Sequence, residues 1–241
     1  MVVVRFKDSW ARAAVWAAVC AAIGAPAGPA FAAPVPDTLA QRVQACTACH
    51  GPEGRAAAEG YQPRIAGKPA GYLYRQLLNF RDGRRSHAAM ATLLAPLSDA
   101  YLRDIATHFA GLDLPYPPPA APALPPDARH LAQALLTVGD PARRLPACNS
   151  CHGAAMTGVQ PAVPGLLGLP RDYLVGQLGA WRTGQRRADA PDCMAHIAQA
   201  LTPQEVGVLA GWLAAQPVPT PSRPAPAPAA PWPQDCGSLR P

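Results

Sequence analysis

No stretch of this chain alternates apolar and polar residues in the manner of a strand, and no βαβ pattern surrounds its cysteines. An all-α chain is therefore expected. No apolar run is long enough to cross a bilayer: the longest, residues 13–23, holds eleven residues, where a spanning helix needs about 20. Basic residues outnumber acidic ones, 21 to 15. They are dispersed and lack interleaved aromatics, which sets nucleic acid aside as a partner. Aromatics make up only 6% of the chain, and there are only four methionines.

The first 32 residues read as a signal peptide. Arg5, Lys7 and Arg12 precede the apolar run, Gly24, Pro26, Gly28 and Pro29 break it, and Ala30-Phe31-Ala32 offers a cleavage site. Cys20 follows Val19, where a lipoprotein site would need a small residue. Residues 1–32 carry three basic groups and one acidic group, so cleavage lowers the formal charge from +6 to +4. The mature chain is expected to be periplasmic and soluble, which leaves room for peripheral association with a membrane.

Proline is abundant but uneven. Residues 114–126 hold seven prolines and residues 217–233 hold eight; such stretches favour extended polyproline geometry. The first reads as a linker, and residues 217–241 as a tail beyond the last folded element. The linker separates two matching segments. Cys46, Cys49 and His50 recur as Cys148, Cys151 and His152 at an offset of 102. Pro63, Gly67, Tyr72, Gln76 and Arg81 recur as Pro164, Gly168, Tyr173, Gln177 and Arg182 at 101, and Met90 recurs as Met194 at 104. This is a tandem duplication, with units at residues 33–113 and 127–216.

Each unit reads as helical. A first helix is expected over residues 38–45 in one copy and 127–138 in the other. A second opens after Pro69 or Pro170 with Leu73, Leu77 and Phe80, or Leu174, Leu178 and Trp181, at helical spacing. Gly83 and Gly184 end it. A last helix starts at Ser98 or Thr202, the latter followed by Pro203 and by Glu205 where a capping box places it. Its buried stripe is Leu102, Ile105 and Phe109, or Val206, Leu209 and Leu213. Units of this size with few aromatics have marginal cores, a deficit that a large buried cofactor would fill.

Cys-x-x-Cys-His is the attachment signature of c-type haem. Two thiols one helical turn apart reach the two vinyl groups of one porphyrin, and the adjacent histidine lies beneath the iron. CTACH and CNSCH thus predict two covalently bound haem c groups. A thioredoxin-type pair needs the missing βαβ context, and a zinc site needs four ligands in one place rather than two pairs separated by a linker. Met90 and Met194 follow their histidines by 40 and 42 residues and are candidate sixth ligands. A lone methionine would read as core filler; two at matched places favour ligation. His87, His196 and Cys193 lie nearby, but none repeats. A thioether ligand favours the ferrous state and raises the potential, and a filled coordination sphere suits an electron carrier rather than a catalyst.

The run from CxxCHG through Pro-x-x-x-Gly, Tyr-Leu-x-x-Gln-Leu and Phe-Arg-x-Gly-x-Arg to Met and Leu-Ser resembles the cytochrome c4 family, over about residues 38–216. The resemblance implies two tandem class I cytochrome c domains. Cys46, Cys49, His50 and Met90 would hold one haem, and Cys148, Cys151, His152 and Met194 the other. Pro63 and Pro164 would orient the axial histidines through their carbonyls. It further implies redox partners: a quinol-oxidising complex or dehydrogenase as donor and a terminal oxidase or reductase as acceptor. Two alternatives are a haem subunit of a larger dehydrogenase, and a dihaem thiosulfate dehydrogenase that would recruit Cys193 as a haem ligand. Cys193 and Cys236 have no place in the family pattern. In an oxidising compartment they are a candidate disulfide.

Overall fold

The computed structural model describes residues 36–57, 60–119 and 124–239; the expected signal peptide lies outside them. The first repeat begins with α1 (Leu39–His50), capped by Thr38, whose hydroxyl accepts from the Gln41 amide. This helix runs through the cysteine motif rather than ending at residue 45, because CTACH contains no breaker. Then come α2 (Ala70–Arg81), α3 (Ala88–Leu94) and α4 (Asp99–Gly111). In the second repeat α5 (Pro126–Thr137) stops before Gly139-Asp140-Pro141, so the motif starts its own short helix, α6 (Asn149–His152). It continues through α7 (Arg171–Arg182), α8 (Cys193–Ala200) and α9 (Pro203–Ala214). Helix dominates; one two-residue antiparallel pair, β1 (Gly158–Val159) with β2 (Val163–Pro164), lies behind the second motif.

Each repeat builds its own apolar cluster. α4 packs on α2 and α1, burying Val43, Leu73, Ile105, Ala106 and Phe109. α9 packs on α5 and α7 around Leu135, Leu136, Leu174, Val206, Leu209 and Leu213. The last-helix stripes expected from the sequence are buried in both copies. Leu77, Phe80, Leu178 and Trp181 are only partly buried.

The loops after α2 and α7 pair with each other. Arg85 and Arg186 form an antiparallel bridge, flanked by hydrogen bonds from Ser86 N to Gln185 O (2.8 Å) and from Arg187 N to Arg84 O (2.7 Å). Gly83 and Gly184 precede these segments with φ of +74°, a conformation that costs glycine little.

The proline-rich tail does not lie beyond the fold. Ala225 bridges Val159, with Ala225 N donating to Gly158 O (2.9 Å) and Gln160 N to Ala225 O (2.8 Å). Arg223 pairs with Asp113. Cys236 is buried and forms a disulfide with Cys193, at a Cα–Cα distance of 5.3 Å. The described part of the linker is also engaged: the Leu114 and Pro115 carbonyls accept from Arg64, whose guanidinium lies 3.8 Å from the Tyr116 ring centre. A chain with few amide donors cannot make ladders of its own, so scattered amides, carbonyls and side chains bind it to the rest of the fold instead.

Arg143, just ahead of the second motif, donates to both carboxylate oxygens of Glu205 (3.0 and 2.7 Å), to Asp140 and to the Ala200 carbonyl. Glu205 also closes the capping box with Thr202. The guanidinium hydrogen bonds, reinforced by the cap, hold the Glu205 carboxyl down at about 2. This stabilisation is complete above the carboxyl's unfolded value near 4.5 and is lost as pH falls toward about 2. Glu205→Gln is expected to lower Tm by a few degrees at pH 7, with the gap to the parent closing between about pH 4.5 and about pH 2 in thermal melts. Cys236→Ser opens a loop of 43 residues' separation. It should cost up to about 4 kcal/mol in chemical denaturation and expose the tail to limited proteolysis.

Candidate functional site

The two motifs present their side chains alike. Cys46 packs against the first cluster, Cys49 is exposed, and His50 ends α1. Gly51, at φ +76°, turns the chain away at once; a Cβ there would collide with the Ala56 carbonyl oxygen. Cys148 and Cys151 are half-buried and His152 is buried. His50 Nδ1 lies 2.8 Å from the Pro63 carbonyl oxygen and His152 Nδ1 lies 2.7 Å from that of Pro164. A carbonyl only accepts, so each imidazole donates through Nδ1–H and keeps the Nε2 lone pair free for a metal. Burial pushes both imidazoles below their ordinary value, which favours the neutral form a ligand needs.

Met90 lies in the first turn of α3 and Met194 in the first turn of α8, both half-buried. The two helices are tied down in the same way. Arg81, in α2, donates to the Leu97 carbonyl beyond α3, and Arg182, in α7, donates to the Ala198 and Leu201 carbonyls at the end of α8. The competing ligands have other positions. His87 is the N-cap of α3, accepting from the Met90 amide (3.3 Å). His196 is exposed, and the Cys193 sulfur is in the disulfide. Met156 is a core residue of the second repeat. Among the described residues no three His, Cys, Asp or Glu side chains gather as a metal cluster.

Between the repeats lies a polar group that was not singled out from the sequence. Arg85 donates to Gln76 (2.9 Å), Gln177 (2.6 Å) and the Tyr173 hydroxyl (3.0 Å). Arg186 donates reciprocally to Gln177 (2.9 Å), Gln76 (3.0 Å) and the Tyr72 hydroxyl (3.4 Å). Both arginines are buried, and their recorded partners are neutral. Burial would raise the Tyr72 phenol, yet the two guanidiniums pull it below its ordinary value. The signal was present: Arg85 and Arg186 recur at the same offset of 101 as Gln76 and Gln177.

These side chains fit a haem. A buried cation needs an anion or it destabilises the fold, and each porphyrin brings two propionate carboxylates. Arg186 stacks 3.7 Å from the Trp181 ring centre, and the Trp181 indole N–H is buried without a protein acceptor. A carboxylate beside them would meet both requirements. Together with paired thiols and an oriented imidazole in each repeat, the donor set suits two covalently held haems.

No protein-family model matches the chain. It is 37% identical over 180 residues to the thiosulfate dehydrogenase electron acceptor of Thiomonas intermedia, covering 73% of this chain and 81% of that protein. It is 32% identical over 170 residues to cytochrome c4 of Pseudomonas aeruginosa, covering 70% and 82%. Among solved structures, reduced cytochrome c4 from Pseudomonas stutzeri superposes with a TM-score of 0.59 at 28% identity, over 72% of this chain and 94% of that one. The thiosulfate dehydrogenase TsdBA of Marichromatium purpuratum superposes at 0.61 with 34% identity, over 71% and 36%. With two haem-attachment motifs on a duplicated helical fold and relatives that span most of its length, this chain belongs to the cytochrome c4 family of dihaem electron-transfer proteins and carries two covalently bound haem c groups.

Proposed function

We propose that the protein is a periplasmic carrier that takes single electrons from a thiosulfate-oxidising dehydrogenase and delivers them to an oxidase or reductase. In this reading residues 33–113 hold one haem through Cys46 and Cys49, with His50 and Met90 on the iron. Residues 127–216 hold the other through Cys148 and Cys151, with His152 and Met194. The bound haems supply a one-electron iron couple. The protein's part would be to hold the ligands in place: the Pro63 and Pro164 carbonyls orient the imidazoles, while Arg81 and Arg182 tie down the segments that follow Met90 and Met194. The single observation that supports the carrier role is this matched anchoring around both sites; with methionine on each iron, neither would offer a position for substrate.

The comparisons support this choice of donor. Two curated relatives at 37% and 38% identity are thiosulfate dehydrogenase electron acceptors, whereas the cytochromes c4 match at 30–32%. A quinol-oxidising complex is the alternative donor. Stable association as a dehydrogenase subunit draws support from TsdBA, of which this chain matches 36%. Against a dehydrogenase activity of its own, the Cys193 sulfur is bonded to Cys236 and is not a free thiolate.

Thiosulfate alone should leave the oxidised protein oxidised, while thiosulfate with a catalytic amount of a thiosulfate dehydrogenase should reduce both haems, as followed by visible absorbance. Sustained oxidation of thiosulfate by the protein alone would make it an enzyme. Reduction by a quinol-oxidising complex but not by the dehydrogenase would replace the donor. For the ligands, Met90→Ala and Met194→Ala should each remove about half of the far-red charge-transfer band of methionine-ligated ferric haem and lower one potential. A full band in either variant rejects that methionine.

A further inference from the structure

Lys68 is a buried cation of the first repeat that reaches into the second. It is 5% exposed, and its Nζ donates to the Gly165 carbonyl at 3.1 Å. Gly165 directly follows Pro164, whose carbonyl accepts from His152 Nδ1. The ammonium therefore anchors the turn that orients this imidazole. Burial chiefly depresses the His152 imidazole, and the Lys68 charge adds to the effect; His50 is acted on instead by Arg85 and His87.

Among the described residues no recorded ion pair gives Lys68 a carboxylate, and its other charged neighbour is Arg64. Burial first, then Arg64, lowers its pKa to about 8, which leaves it mostly cationic at pH 7. The duplication does not repeat this arrangement. The offset of 101 places Leu169 at the position of Lys68 and Arg64 at that of Gly165. Arg64 turns away, donating to the Ala66, Leu114 and Pro115 carbonyls.

We propose that Lys68 is a positioning residue that sets the potential of the second haem, a cation supplied by one repeat that stabilises the reduced state of the centre held by the other. Reduction removes one positive charge from the iron. A fixed cation on the proximal side therefore repels the ferrous centre less than the ferric one, and burial limits the screening. The hydrogen bond to Gly165 adds a second effect by holding the residue next to Pro164, whose carbonyl sets the orientation and basicity of the imidazole. The inference rests on His152 lying beneath the second iron and is independent of any redox partner.

Lys68→Gln keeps a donor and removes the charge, Lys68→Met removes both, and Lys68→Arg keeps the charge. In the intact dihaem protein, with the haems assigned by NMR of their methyl resonances, spectroelectrochemical titration should show Lys68→Gln and Lys68→Met lowering the second midpoint. The expected size is about tenfold in the reduction equilibrium, or about 59 mV for one electron, with the first midpoint nearly unchanged. Lys68→Arg should restore it. An unchanged second midpoint in Lys68→Gln, or equal falls at both haems, overturns the proposal. If His152 is not the ligand, His152→Ala will keep a fully low-spin spectrum, a result separate from the midpoint readings.

Discussion

Two arginines share two glutamine oxygens at the junction of the repeats, and much of the molecule is arranged around that fact. Gln76 and Gln177 each accept from both Arg85 and Arg186, so the loss of either guanidinium removes a donor from the glutamines of both repeats. Glutamine and tyrosine dipoles orient the charges but do not neutralise them. Two like charges at close range in a poorly screened interior repel; burial, with Arg85's charge added to it, lowers the Arg186 pKa. Carboxylates from the cofactors would meet the balance, and haem attachment would then be coupled to repeat docking. Folding of the junction and loading of the prosthetic groups are then mutually stabilising.

The same arrangement has a redox consequence. The backbone amides of Arg85 and Arg186 donate to the Asn79 and Ala180 carbonyls in the last turns of α2 and α7, the helices whose Arg81 and Arg182 hold the methionine segments. Charge at the junction and the placement of the methionine segments are therefore carried by the same two elements. Phe80 and Trp181 lie beneath the guanidiniums, 4.4 and 3.7 Å from the ring centres. Only the second offers an N–H. The repeats are thus alike in how they support an iron and unlike in the polar groups around it, which is what two chemically similar centres need in order to differ in potential.

How much of this the sequence disclosed follows from the range of each interaction. Caps, apolar stripes and the haem motifs are local: Thr202 with Glu205, the spacing of Leu102, Ile105 and Phe109, and Cys46 with His50 are all set within a few residues. The histidine–proline contacts were accessible through the family resemblance, and the Cys193–Cys236 pairing through parity and compartment. The arginine junction was not, because the segments that pair, around Arg85 and Arg186, are loops with no strand pattern and are 101 residues apart. Lys68 escaped for a related reason. On its own segment it looks like an ordinary exposed lysine, and only docking of the second repeat buries it. The tail was misjudged by composition. Scarcity of amide donors rules out helix, but it does not rule out a strap bound by two amides, a carbonyl, one arginine and one cysteine.

That strap bears on the role of Cys193 and Cys236. Ala225 pairs with the segment around Gly158 and Val159, a few residues beyond His152, while Cys236 is joined to Cys193, the neighbour of Met194. A single stretch of chain thus reaches both the segment beyond His152 and the residue before Met194. Gly237 N donates to Pro191 O at 2.9 Å, which fixes the loop immediately ahead of α8, where Asp192 caps the helix by accepting from Ala195 N and also accepts from Ala188 N. A methionine in the first turn of a two-turn helix is easily lost from iron if that turn frays, since short helices have little intrinsic stability. Covalent and hydrogen-bonded restraint at the N-terminus of α8 opposes that fraying directly. In the first repeat His87 caps the equivalent turn without a disulfide, so the two methionines are held by different means, with the covalent one on the side that the tail reaches.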